Sequence, residues 1–121
     1  MKNVLVTGGC GFIGSNFVKY LISCRNYFPV ILDKLTYAGN ITNLNQANKN
    51  KYAFIKGDIC DKELVNDLFI KYKFKGVFNF AAESHVDRSI DGPREFMQTN
   101  IFGTYNLLES SRHYFKNINH D

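Results

Sequence analysis

With 121 residues, a formal charge of +4 and 45% hydrophobic against 21% charged residues, the chain has room for one domain or part of one, with a small core. No apolar run reaches the length of a membrane span and no leader precedes the first strand, so a cytoplasmic protein without a membrane partner is expected. The positive charge is scattered. Its densest run, Lys71-Tyr72-Lys73-Phe74-Lys75, reads as a helix C-terminus, where the dipole favours cations, rather than as a nucleic-acid surface. Cys10, Cys24 and Cys60 form an odd set without CxxC or metal-like spacing. Reduced thiols and no metal site are expected.

In chain order, Val4-Leu5-Val6-Thr7 is a strand beginning near residue 3, and it runs into the glycine-rich stretch Gly8-Gly9-Cys10-Gly11-Phe12-Ile13-Gly14. Ile13, Phe17, Tyr20, Leu21 and Cys24 then recur at helical spacing and predict a helix to about residue 25. A second buried strand is expected over 28–33, with Pro29 at its start. Residues 34–50 read as a polar loop with at most a short helix around 41–46. A third strand follows over 52–56, closed by Gly57. Asp61 can cap a helix whose apolar face is Leu64, Val65, Leu68, Phe69 and Tyr72, stopped by Gly76. Residues 77–82 form a fourth strand, apolar enough to predict burial on both faces. After a polar loop over 83–91, Pro93 opens a long helix to about Phe115, with Phe96, Asn100, Gly103, Thr104, Leu107 and Ser111 on one face.

Strands alternating with helices predict an α/β fold, a doubly wound parallel sheet. Right-handed crossovers favour the order 3-2-1-4, with a crevice between strands 1 and 4 where the winding reverses. The glycine stretch lies at its mouth. Gly8 suits a tight exit from the strand, Gly11 a close approach of backbone to an anion, and Gly14 close packing of helix on strand. Unpaired N–H groups in the helix's first turn favour a diphosphate there. Asp33 ends the second strand about 20 residues on, where a carboxylate accepts ribose hydroxyls and repels a 2′-phosphate. This favours NAD over NADP, with Lys34 read as a solvated lysine. Asp58 and Ile59 follow the third strand on the adenine side, although Asp58 and Asp61 also suit a plain capping role. The loop Glu83-Ser84-His85-Val86-Asp87-Arg88-Ser89 lacks a nucleophile elbow and reads as a ligand-binding loop, not as a hydrolytic triad.

Thr7-Gly8-Gly9-x-Gly11-Phe12-Ile13-Gly14 resembles the extended short-chain dehydrogenases/reductases. Asp33-Lys34-Leu35-Thr36-Tyr37-Ala38-Gly39-Asn40, Gly57-Asp58-Ile59, Ala81-Ala82-Glu83-Ser84-His85-Val86-Asp87-Arg88-Ser89-Ile90 and Thr99-Asn100-Ile101-Phe102-Gly103-Thr104 narrow the resemblance to their nucleotide-sugar 4,6-dehydratases, over the whole chain. It implies a Rossmann-type NAD-binding domain over residues 1–121, truncated after the fourth strand and its helix. Phe12 and Ile13 would meet the pyrophosphate, Asp33, Lys34, Leu35 and Thr36 the ribose, and Asp58 and Ile59 the adenine. Phe80, Ala81, Ala82, Glu83 and Ser84 would line the nicotinamide side with Thr99 nearby, Ser84 also touching the hexose of dTDP- or UDP-glucose.

The family's reaction takes hydride from sugar C4, expels water across C5–C6 and returns the hydride at C6. Its catalytic Tyr-x-x-x-Lys and eliminating acids would lie beyond residue 121. No catalytic residue is therefore assigned, and the chain alone is expected to be inactive. The alternatives are a non-catalytic NAD- or nucleotide-binding module and a nucleotide-sugar epimerase fragment, which fits residues 33–40 and 81–90 poorly. A homodimer is expected, through helix 93–115 or the exposed edge of strand 77–82.

Overall fold

The computed structural model describes residues 1–35, 40–81 and 93–117. Four parallel strands, β1 (Lys2–Thr7), β2 (Tyr27–Asp33), β3 (Ala53–Lys56) and β4 (Gly76–Asn79), lie in the order β3-β2-β1-β4. This is the predicted doubly wound order. The register pairs Val6 with Ile31 on one side and with Phe78 on the other. Pro29 pairs only toward β1, since the β2–β3 ladder starts at Val30. A missing N–H therefore costs the sheet nothing on the β3 side.

Alternation along the strands feeds two cores. Leu5, Val30 and Leu32 face helix α2 (Lys62–Tyr72) and helix α4 (Thr104–Asn117), packing with Val65, Leu68, Phe69, Phe74 and Leu107. Val4, Val6 and Ile31 face the other way, onto Val18 and Leu21 of helix α1 (Phe12–Ser23) and onto Leu44. Phe69 and Phe74 meet edge to face at 5.1 Å, a geometry that adds to their area burial.

Several boundaries and faces differ from the sequence-based expectation. α1 ends at Ser23, and its buried face is Gly14, Ser15, Val18 and Leu21, while Ile13 and Tyr20 are exposed. The cause is Gly14, whose Cα lies so close to the Gly8 carbonyl that a Cβ would overlap the oxygen. That contact fixes the rotation of the helix, and the residues four and seven further on turn inward with it. α2 stops at Tyr72 because Lys73 turns left-handed (φ 52°). Gly76 is not the stop; it begins β4.

β4 is shorter than expected, ending at Asn79, although the Phe80 N–H still donates to the Thr7 carbonyl at 3.0 Å. Nor is it buried on both faces, since Phe78 is 38% exposed and Asn79 is exposed. It lies at the edge of the described sheet, where Phe17 of α1 reaches over Phe78 and Phe80 at 4.7 and 5.2 Å.

The last helix runs unbroken over 93–117, as expected, but it is not α-helical throughout. A short helix α3 (Pro93–Met97) passes into a π-helical segment (Gln98–Gly103) before α4. Gly103 packs on Ile59, where a Cβ would overlap the isoleucine side chain. Between β2 and β3 the described residues form two 3-10 turns, Ile41–Leu44 and Lys49–Lys51; the second has no counterpart in the sequence reading. Among the described residues no helix is long and apolar enough to cross a membrane.

Candidate functional site

The C-terminal ends of β1, β2, β3 and β4 deliver four chain segments to one rim of the sheet. β1 leaves through Gly8, which has φ 67° and sits against the backbone beyond β4: a Cβ there would lie 2.6 Å from the Phe80 carbonyl carbon and 2.7 Å from the Ala81 nitrogen. Both demands exclude a side chain. Gly11 is the N-cap of α1 in extended conformation and offers no side-chain hydrogen bond, and the first turn holds no acid. The amides of Phe12, Ile13 and Gly14 have no acceptor within the helix, whose first internal bond runs from Ser15 N–H to Gly11 at 2.8 Å. The side chains of Phe12 and Ile13 stand in solvent, 81% and 68% exposed. What these residues bring to the rim is therefore backbone N–H.

Asp33 is buried at the end of β2, 8% exposed. Its Oδ2 accepts the Cys10 N–H at 2.9 Å and its Oδ1 the Leu35 N–H at 2.8 Å. The carboxylate thus ties the glycine turn to the exit of β2, with lone pairs left for hydroxyl donors. Sequence reasoning missed the other half of this tie. The Cys10 carbonyl accepts the Asn40 N–H at 3.1 Å and the Asn43 side-chain amide at 2.8 Å. Asn40 in turn caps the 3-10 turn over 41–44 through the Thr42 N–H. The Cys10 thiol is fully buried, and burial with the nearby Asp33 charge pushes it up to about 12. It is a packing group, not a nucleophile.

Asp58 and Ile59 lie beyond β3, beside Asp33, because the Gly57 N–H donates to the Asp33 carbonyl at 3.0 Å. Asp58 Oδ1 accepts the Cys60 N–H at 2.9 Å, and Oδ2 pairs with Lys34 Nζ at 3.3 Å. Burial raises the Asp58 carboxyl, but the Cys60 amide and the Lys34 ammonium outweigh it and hold it below its ordinary value. Capping of α2 falls to Asp61 alone, which accepts the Leu64 N–H at 3.1 Å. Lys34 is thus not merely solvated, as the sequence suggested. The Ile59 carbonyl accepts the buried Asn106 side-chain amide at 2.6 Å, which joins α4 to the same rim.

On the β4 side the Ala81 N–H lies 3.3 Å from both Thr7 Oγ1 and Asn79 Oδ1, and the Thr7 hydroxyl donates to that same Asn79 oxygen. Thr7 and Asn79, neither predicted, thereby hold Phe80 and Ala81 at the rim. Thr99 is half-buried in the π-helical segment. Thr36, Ala82, Glu83 and Ser84 lie outside the described residues. Tyr52 and Lys56 have the spacing of a Tyr-x-x-x-Lys pair but belong to β3 and its entry, not to a helix. Among the described residues no group of His, Cys, Asp and Glu could hold a metal ion.

An uncapped helix N-terminus behind a left-handed glycine, with a buried acid at the end of the next strand, defines a dinucleotide-binding α/β fold of the Rossmann type. The chain belongs to the GDP-mannose 4,6-dehydratase family, whose model matches residues 5–120. It is 49% identical over 119 residues to dTDP-glucose 4,6-dehydratase of Haemophilus influenzae, covering 98% of this chain and 35% of that protein. Identity to the Xanthomonas campestris enzyme of the same name is 53% over 117 residues, covering 96% of this chain and 33% of that one.

Among solved structures it resembles dTDP-glucose 4,6-dehydratase of Streptomyces venezuelae with NAD bound (TM-score 0.85, 40% identity, 93% of this chain and 36% of that one). UDP-glucose 4-epimerase of Thermotoga maritima with UDP-glucose is also similar (TM-score 0.83, 36% identity, 93% and 34%). The chain spans about a third of the length of the relatives it matches.

Proposed function

We propose that this chain is the NAD-binding portion of a nucleotide-sugar 4,6-dehydratase, a cytoplasmic lyase acting on dTDP- or UDP-glucose. The observation that carries the reading is the Asp33 carboxylate, buried and bonded to the Cys10 amide beneath an uncapped helix start. Two parts of a dinucleotide, diphosphate and ribose, are matched by two adjacent features of opposite polarity. The Phe12 and Ile13 amides receive the pyrophosphate, with Gly8, Gly11 and Gly14 keeping the turn free of side chains. Asp33 accepts from the ribose, with Lys34, Leu35 and Thr36 alongside, and Asp58 and Ile59 flank the adenine.

The nicotinamide, when bound, supplies a reversible hydride acceptor for the sugar. Phe80, Ala81, Ala82, Glu83, Ser84 and Thr99 orient it, and Ser84 meets the hexose. The general acid and base belong to the part of the relatives' length that this chain does not span, so residues 1–121 contribute binding and orientation only. Met97, Ile101, Phe102, Tyr105 and Leu108 are 49–64% exposed along the last helix and serve as a homodimer surface. The β4 edge is the other candidate for that surface.

Calorimetric titration with NAD⁺ tests the reading. Saturable binding is expected, and its absence at millimolar cofactor overturns the proposal. Adding the remaining portion in trans should restore formation of a 4-keto-6-deoxy product. NAD binding without restored turnover would favour a non-catalytic binding module. An epimerase fragment draws support from the Thermotoga maritima likeness, and a 4-epimerised product in the same assay would favour it.

A further inference from the structure

We propose that Asp58 helps set the preference for NAD over NADP by holding Lys34 away from the ribose 2′ position. The inference rests on the NAD-binding reading above and adds a specificity role that the adenine contact does not contain. Lys34 follows the ribose-facing Asp33 directly, so its ammonium is the cation nearest in sequence to where a 2′-phosphate would sit. A free lysine there would reward NADP.

The structure gives that ammonium another partner. β2 and β3 end side by side, with Asp33 in register with Lys56 and the Gly57 N–H on the Asp33 carbonyl. Asp58 is thereby brought within reach, and Lys34 Nζ lies 3.3 Å from its Oδ2. The other oxygen, Oδ1, is fixed by the Cys60 N–H, so the carboxylate cannot turn away without losing a hydrogen bond. Two negative groups, Asp33 and Asp58, then border the ribose, and the cation that directly follows Asp33 is paired. The side chains of the pair are 55% and 37% exposed. An ion pair this solvated is weak, so its effect on specificity is small but measurable, about two- to fivefold.

The test is the ratio of dissociation constants for NADP⁺ and NAD⁺, measured by calorimetry on the full chain for the wild type, Asp58→Asn, Lys34→Ala and the double variant. Adenine and pyrophosphate are common to both cofactors, so a merely structural loss, or loss of the adenine contact, cancels in the ratio. Asp58→Asn keeps an acceptor for the Cys60 N–H and should lower the ratio about two- to fivefold toward NADP. The double variant should return it close to the wild-type value. Asp58→Ser, which also retains a turn-forming oxygen, stands in if the Asn variant does not fold.

A ratio unmoved by either Asp58 variant overturns the proposal. So does a shift that persists without Lys34, since simple removal of negative charge would then explain it. If the wild type binds neither cofactor, the NAD-binding reading falls as well, whereas a wild type that binds NAD⁺ with an unmoved ratio removes this inference alone.

Discussion

At α2 the first turn is capped from within. Asp61 accepts the Leu64 N–H at 3.1 Å, and Glu63 places a negative charge in the positive end of the dipole. At α1 the equivalent position is Gly11, with no side-chain oxygen and no acid in the turn, and the amides of Phe12, Ile13 and Gly14 are left to an external acceptor. Both helices follow a strand of one sheet and bury an apolar face against it, so packing does not account for the difference. A capped start serves stability, and an uncapped one serves a ligand at a cost in stability.

The sharpest way to break this contrast is Gly14→Ala. Its Cβ would meet the Gly8 carbonyl, which cannot swing aside as a side chain would. We expect a loss of about 3 kcal/mol in urea unfolding, together with loss of detectable NAD binding. Retained affinity would show that the close approach of helix to turn is dispensable. Gly11→Asp transplants the α2 solution into α1. It should weaken NAD binding at least about tenfold, roughly 1.4 kcal/mol, without a comparable loss of stability, and unaltered affinity would undo the pyrophosphate assignment.

Asp61→Ala makes the converse change. Stability should fall by about 1 kcal/mol while NAD affinity stays within about twofold, and a larger change in affinity would mean that α2 serves the site directly. At pH 8 a maleimide should label Cys10 only after unfolding, because the buried thiol, pushed up to about 12, stays protonated. Peptide mapping by mass spectrometry checks this.

The smallest effect concerns Asp58. Its carboxyl sits below the ordinary 3.8, so its contribution to stability is present above that value and is lost as the pH falls through the folded-state pKa. Asp58→Asn should flatten the acid limb of the stability profile below about pH 4, and an unchanged slope would remove the Lys34 pairing from the account.

The features that the residues announce are those whose chemistry is local. Gly8, Gly14, Asp33 and Asp61 each act within a turn or at the end of an element, and the alternation of strands and helices leads to the observed order β3-β2-β1-β4. The contacts that were missed join residues far apart in the chain. Asn43 reaches the Cys10 carbonyl across 33 positions, and Asn106 reaches Ile59 across 47. An asparagine in a polar stretch looks the same whether it meets water or another loop. The rotation of α1 was misread because Ile13 and Tyr20 are as apolar as the residues that are buried, while the deciding contact belongs to a glycine. The π-helical turn over 98–103 has no residue signature, since it is a pattern of backbone bonds.

The strand order also carries a temporal consequence. β1, α1 and β2 are contiguous in the chain and can dock as soon as about the first 33 residues exist, whereas β4 closes on β1 across a separation of 72 positions between Thr7 and Asn79. Loop-closure entropy makes that pairing late. On a ribosome releasing the N-terminus first, the glycine turn would emerge and bend before the Phe80 backbone that presses against Gly8 has been synthesised. The cofactor cradle would therefore gain its last wall near the end of folding.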